Sequence, residues 1–317
     1  MSSSAASTAR PVRAKQRPGD RVFSGGALAA GSLILAVLAA VAAFLVLQSI
    51  PAFTTPADEV AILAGETFWT YVWPLVFGTL WSAALALLMA VPLAIGIALF
   101  ISHYAPRRLA QGLGYIIDLL AAVPSIVFGL WGGNVLAPAV QPFYTWATEN
   151  FGWIPFFAGP ASGTGRTILT ASIVLAVMVL PIITALTREV FLQTPVLHEE
   201  AALALGSTRW EMIRMTVLPF GRPGIISASM LGLGRALGET IAVATVLSST
   251  GAVTFALFTS DNPSTIAANI ALSFPEAYGV NVDVLIATGL ILFAITLVVN
   301  SIARYIVSRR SAFSGAN

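Results

Sequence analysis

The sequence contains no cysteine and only one lysine, and ionised side chains of either sign are scarce. Without thiols there is no disulfide framework, no cysteine-based metal site and no cysteine nucleophile. Only 9% of the 317 residues are charged, against about a quarter in a soluble domain. Sixteen basic and fourteen acidic residues cannot coat a soluble surface of this size. The pI near 9.2 does not point to nucleic acid, because no basic patch alternates with aromatics. The two histidines, His103 and His198, lie in different loops and form no metal-ligand pattern; each is expected to be solvated.

What the chain has in excess is hydrocarbon: 57% of its residues are hydrophobic, with a mean hydropathy of +0.87. Stretches 22–57, 67–106, 119–148, 167–187 and 284–303 carry no ionised side chain. About 20 apolar residues span a bilayer as a helix, and buried backbone must satisfy itself internally there. The pattern therefore predicts an all-α polytopic bundle with six membrane spans, near 27–50, 75–101, 113–138, 167–187, 224–248 and 284–303. The first apolar run is longer than a cleavable leader's core and reads as an uncleaved signal-anchor. Residues 1–25 read as a mobile basic tail, 26–308 as the membrane domain and 309–317 as a second tail.

The few cations orient the bundle. Arg10, Arg13, Lys15, Arg17, Arg21, Arg107, Arg108, Arg188, Arg209, Arg214, Arg222, Arg304, Arg309 and Arg310 all fall on one side of the six spans. The opposite loops, apart from Arg166 at the border of span four, carry Asp58, Glu59, Glu66, Glu149, Asp261, Glu276 and Asp283 instead. The positive-inside rule then places both termini in the cytoplasm.

Two glycine-rich runs resemble nucleotide motifs and fail on spacing. Gly159–Thr167 has five residues between its glycines and Arg166 where a P-loop needs lysine. Gly232–Gly238 reads GxGxxxG inside an apolar span; close helix packing at Gly234 and Gly238 is the expected reason.

The loop from 188 to 222 is the most charged part of the chain. Glu199–Leu205 favours helix, Gly206 breaks it, and Ser207 and Thr208 suit a cap for a second helix from about Arg209, ending before Pro219. EAALALGSTRWEMIRMTVLP resembles the EAA loop of the membrane subunits of binding-protein-dependent ABC importers. Glu200, Ala201, Ala202, Gly206, Leu218 and Pro219 match that pattern in register, and Thr216 stands where it has isoleucine. The resemblance implies coupling helices that dock into a groove of a cytoplasmic ATPase. Ala201 and Ala202 are small enough for close docking, and Gly206 allows the turn.

Span five holds Arg235 and Glu239, four apart and so expected on one helix face. Ionisable groups at that depth are expensive and are candidates for a solute path, with a structural ion pair as the alternative. GRALGETIAV, together with VPSIVFGLWG in span three and GDRVF near the start, resembles the phosphate importer permeases of the PstC type. Asp118 stands where that family has glutamate. The resemblance implies a path lined by Arg235 and Glu239, with Pro124 and Ser125 as weaker candidates. It also implies a PstA-type permease partner, two PstB-type ATPase subunits and a PstS-type phosphate-binding protein. No cofactor is expected in this chain; ATP and Mg would belong to the ATPase, so the chain would not itself be an enzyme. The rival readings are an ABC permease for another oxyanion or small solute, a self-sufficient channel or secondary carrier, and a membrane-embedded enzyme.

Overall fold

The computed structural model describes residues 18–311, so the expected tails at 1–17 and 312–317 lie outside it. Among the described residues the chain is helical, with no strand. In order come α1 (Pro18–Thr54), α2 (Phe68–Leu99), α3 (Arg107–Ala121), α4 (Ser125–Trp131), α5 (Ala137–Phe151) and α6 (Ile168–Leu192). They are followed by α7 (Val196–Ala204), α8 (Arg209–Met212), α9 (Leu218–Leu237), α10 (Ile241–Val246), α11 (Ile266–Ser273) and α12 (Val280–Ser311). Single π turns at Phe100–Tyr104, Gly132–Leu136 and Ile213–Val217 extend or join these helices.

Among the described residues, five segments are long and apolar enough to cross a membrane: Gly19–Thr54, Phe68–Tyr104, Ser125–Phe151, Ile168–Leu192 and Val280–Ile306. The fifth span expected from sequence is present as α9 and α10 with a break between them. The chain divides into two units, Met1–Leu47 and Gln48–Asn317. The described part of the first is a single apolar helix, and α1 starts at Pro18, ahead of the residue 26 boundary read from composition.

In the second unit, small residues let helices approach. Ala83, Ala86, Ala90 and Ala94 form a buried stripe along α2. They pack against Leu175, Met178, Val179 and Ile183 of α6, while Ala228, Ala236 and Leu237 of α9 close the same cluster. Without bulky side chains in between, the backbones come close enough for dispersion to replace the hydrophobic effect, which is absent in lipid. Threonine hydroxyls cap the entries: Thr67, Thr167 and Thr265 each accept a backbone N–H from the residue three places on.

Buried polar groups tie the irregular end together. Asn262 is fully buried; its Nδ2 donates to the carbonyls of Ser248 and Thr259, and its Oδ1 accepts from Ile168 N–H. Asp283, read as a loop acid, is buried and accepts from Gln48 Nε2 at 2.6 Å.

The third span departs from expectation. Residues 113–121 belong to α3, and the apolar crossing starts only at Ser125. Pro124 lacks an N–H and disfavours helix at Val123, so it stops one helix and opens the next instead of bending one. Pro181, in contrast, sits inside an uninterrupted α6.

Candidate functional site

The EAA segment folds as α7, a turn and α8. Gly206 adopts φ +85°, a left-handed conformation that glycine enters without steric cost. Thr208 Oγ1 accepts from Glu211 N–H, and the Glu211 carboxylate accepts in return from the Thr208 N–H at 2.8 Å. This capping box satisfies two otherwise free donors. The helix does not end before Pro219. The π turn Ile213–Val217 carries it into α9, and Pro219, which has no N–H to place in the ladder, comes directly after that irregular turn. Thr216 answers its own departure from the family pattern by donating its hydroxyl to the Met212 carbonyl at 2.6 Å.

The two alanines of the segment face opposite ways. Glu200 and Ala201 are exposed, as are Leu205 and Trp210. Ala202 is buried with Met212, Ile213 and Val217 against Ala98 and Leu99 of α2 and Phe191 of α6, which removes it from any docking face. Leu218 packs at the edge of that cluster and Pro219 is exposed. His198 is exposed as expected. His103 is not: only 10% of its side chain is accessible, and its Nε2 lies 3.5 Å from Glu199 Oε1.

The backbone N–H of Thr208, and then its hydroxyl, hold the Glu211 carboxyl below the usual carboxylate pKa. A folded-state pKa lowered in this way adds stability that is complete above the ordinary carboxylate pKa and lost as pH falls through the folded one. Thr208→Ala is expected to cost about 1 kcal/mol of local stability. Hydrogen exchange should report it as faster amide exchange over 209–212 at neutral pH, with acidification producing the same change in the wild type.

Arg235 and Glu239 do not share a helix face. α9 ends at Leu237 with Gly238 as its cap, and Glu239 lies beyond the end. The Glu239 carboxylate is buried and accepts from Ala242 N–H at 3.2 Å, capping α10. No ion pair joins it to Arg235 among the described residues.

The helices that follow the two breaks are held beside each other. A Cβ on Gly129 would lie 2.8 Å from the Cα of Ala242 and 2.4 Å from Thr245 Oγ1. Gly132 meets Val246, and Gly133 meets the Thr245 carbonyl. The pairing ascends on both sides, so α4 and α10 run in the same direction, with Pro124 and Glu239 preceding their matching ends. Close packing along α9 falls at Gly232, against Ile183, and at Gly221 and Gly224, against Phe191 and Val190. It does not fall at Gly234 or Gly238: the former faces open space and the latter meets only its own helix.

The open space at Gly234 belongs to a cavity of about 820 Å³ between α6, α9 and α12. Ile182, Met230 and Leu231 supply apolar walls, and Arg235, Asn300 and Arg304 supply polar ones. Arg235 is half-buried, Arg304 is exposed, and neither has an ion pair among the described residues. Pro124 and Ser125 do not line this cavity; they lie at the α3–α4 break. Sequence reading did not single out Arg304 for this site, because it stands 69 residues from Arg235 among the cations that set topology. The glycine run Gly159–Thr167 has no strand before it, and Gly165 instead brings its backbone against the Ala137 carbonyl.

Residues 90–312 match the family model described as "Binding-protein-dependent transport system inner membrane component". The phosphate transport system permease protein PstC 2 of Mycobacterium tuberculosis is 46% identical over 302 residues, covering 92% of each chain. The PstC permeases of Mycobacterium leprae (49% identical, 73% of each chain) and Mesorhizobium japonicum (40%, 94% of this chain and 92% of that one) are also similar. A chain of the inward-facing MetNI methionine ABC transporter superposes with a TM-score of 0.51 at 20% identity, covering 75% of this chain and 94% of that chain. That likeness bears on the fold alone. A membrane helix bundle with an EAA turn in register and PstC relatives along nearly its whole length places the chain in the family of inner membrane components of binding-protein-dependent transport systems.

Proposed function

We propose that the chain is the permease subunit of an ATP-driven phosphate importer, forming half of the translocation path. The observation that carries this reading is 46% identity across 92% of the chain to a phosphate transport permease. On this reading a PstA-type permease completes the path. A pair of PstB-type ATPases, which hold the ATP and Mg, docks beneath it, and a PstS-type protein delivers phosphate from outside. Both termini then lie in the cytoplasm, in line with the positive-inside rule.

Arg235 is the phosphate-attracting group. A guanidinium offers forked donors to oxyanion oxygens, and with no carboxylate partner among the described residues that capacity is unspent. Arg304 shares the cavity and adds a second positive charge. Glu239, at the break above, tempers the attraction and accepts the P–OH hydrogen that fully ionised sulfate lacks. Pro124 and Ser125 open the neighbouring half-helix and shape the path through α4. The exposed side of the α7–α8 turn, with Glu200, Ala201, Leu205 and Gly206, is the ATPase contact; Ala202, Leu218 and Pro219 hold that turn in place.

The acidic outer residues Glu149 and Asp261 would repel free phosphate, which suits delivery by a docked protein better than capture from solution. Competition in the assembled, reconstituted transporter tests the substrate. Phosphate and arsenate should compete with labelled phosphate while sulfate does not; equal competition by sulfate would favour the broader oxyanion reading. Charge reversal at Glu149 and Asp261 is expected to reduce binding-protein-stimulated ATPase activity, and unchanged stimulation would place docking elsewhere.

A further inference from the structure

The turn that carries α7 and α8 is joined to the transmembrane helices by two kinds of contact. One is apolar: Ala202, Met212 and Ile213 pack on Ala98, Leu99 and Phe191. Such a contact resists separation, but it has no preferred direction and lets surfaces slide. The other is polar. His103 lies in the π turn that extends α2, and Glu199 sits in the first turn of α7, separated from it by almost a hundred residues of chain. Their side chains are 10% and 22% exposed, and His103 Nε2 faces Glu199 Oε1 at 3.5 Å. The imidazole is held from behind. Its Nδ1 lies 2.7 Å from Ser102 Oγ, which is itself bonded to the Ala98 carbonyl at 2.7 Å, and the Phe191 ring stands edge-on to it at 6.4 Å.

We propose that the His103–Glu199 contact is the directional link by which displacement of α7 is passed to α2. The contact sets one pair of atoms, Nε2 and Oε1, against each other at 3.5 Å, and the hydrogen bond between Nδ1 and Ser102 Oγ keeps the ring from turning away. α2 then carries the movement along its alanine stripe to α6 and α9, the helix that bears Arg235. The π turn at Phe100–Tyr104 places His103 just beyond the last residue of α2, so a displacement of α7 reaches that helix at its end. His103 and Glu199 are thus positioning residues: they touch neither phosphate nor nucleotide. This inference rests on the reading of the α7–α8 turn as the ATPase contact.

The test uses the assembled transporter in proteoliposomes and measures ATP hydrolysed per phosphate taken up, together with the amount of ATPase subunit retained. Glu199→Gln, which keeps the size of the side chain, and His103→Leu are each expected to raise that ratio about fivefold, the low end of measured couplings between sites. ATPase retention should stay at the wild-type level. The reversed pair, His103→Glu with Glu199→His, is expected to bring the ratio back towards the wild type, which a purely structural role in assembly would not do. An unchanged ratio in both single variants overturns the proposal, as does a raised ratio that the reversed pair leaves raised. Ala201→Arg, on the exposed side of α7, separates this from failure of the underlying reading. If that variant keeps its ATPase bound and stimulated, the docking reading fails. If it loses the ATPase while the His103 and Glu199 variants behave as wild type, only the link fails.

Discussion

Arg235→Gln should lower phosphate uptake by at least about tenfold while the subunit still assembles with its partners. A hydrogen bond to a charged group contributes roughly 1.5–3 kcal/mol, and 1.4 kcal/mol is a factor of ten. The side chain packs at a half-exposed cavity wall and is not locked in a core ion pair, so its loss should leave folding largely intact. Glu239→Gln keeps an oxygen for the Ala242 N–H and should preserve the break between α9 and α10. Its expected effect is on selection of phosphate over sulfate more than on rate. Transport assays on membranes with confirmed assembly check both variants, and near-normal uptake and selectivity in the pair would remove these residues from the path.

A second large effect is expected at Gly129. A Cβ there would press on the Cα of Ala242 at 2.8 Å and on Thr245 Oγ1 at 2.4 Å, and backbone cannot rotate out of the way as a side chain can. Gly129→Val should therefore separate α4 from α10, at a cost of about 1–3 kcal/mol from overpacking. Because these helices follow the two breaks, the loss should appear in transport as well as in stability. The purified subunit should melt earlier, and uptake should fall further than the drop in assembled protein explains. Gly234→Ala is the control: its Cβ meets open space, so stability should hardly change.

These two glycines also mark where sequence reading reached its limit. Gly129 and Gly234 both lie in glycine-rich apolar runs, and spacing alone suggested close packing at Gly234. Which one touches a neighbouring backbone depends on the rotation of each helix, and that is set by partners distant in the chain. The same limit applied to Arg235 and Glu239. A four-residue spacing puts side chains on one face only while the helix lasts, and α9 stops at Leu237. The signal was present in Gly238, a residue suited to ending helices, but the apolar run continuing through Ile241–Val246 outweighed it. His103 was read as solvated because it falls in a loop between predicted spans. Its partner, Glu199, is supplied by a turn that packs back onto α2.

What the sequence by itself determined was the solvent, the all-helical class and the family. A charge content of 9% with long uncharged runs admits little besides helices in lipid, and the EAA spacing is a local pattern that survives without knowledge of the fold. The tertiary structure alone decided which groups meet. Arg304 joins Arg235 at one cavity, Asn262 knots a loop to α6, Ala202 turns inward while Ala201 turns out, and Glu199 reaches His103. Hydropathy and helix propensity are sums over neighbours in the chain, whereas a contact between distant residues depends on the rotation and register of whole helices, which only their packing fixes.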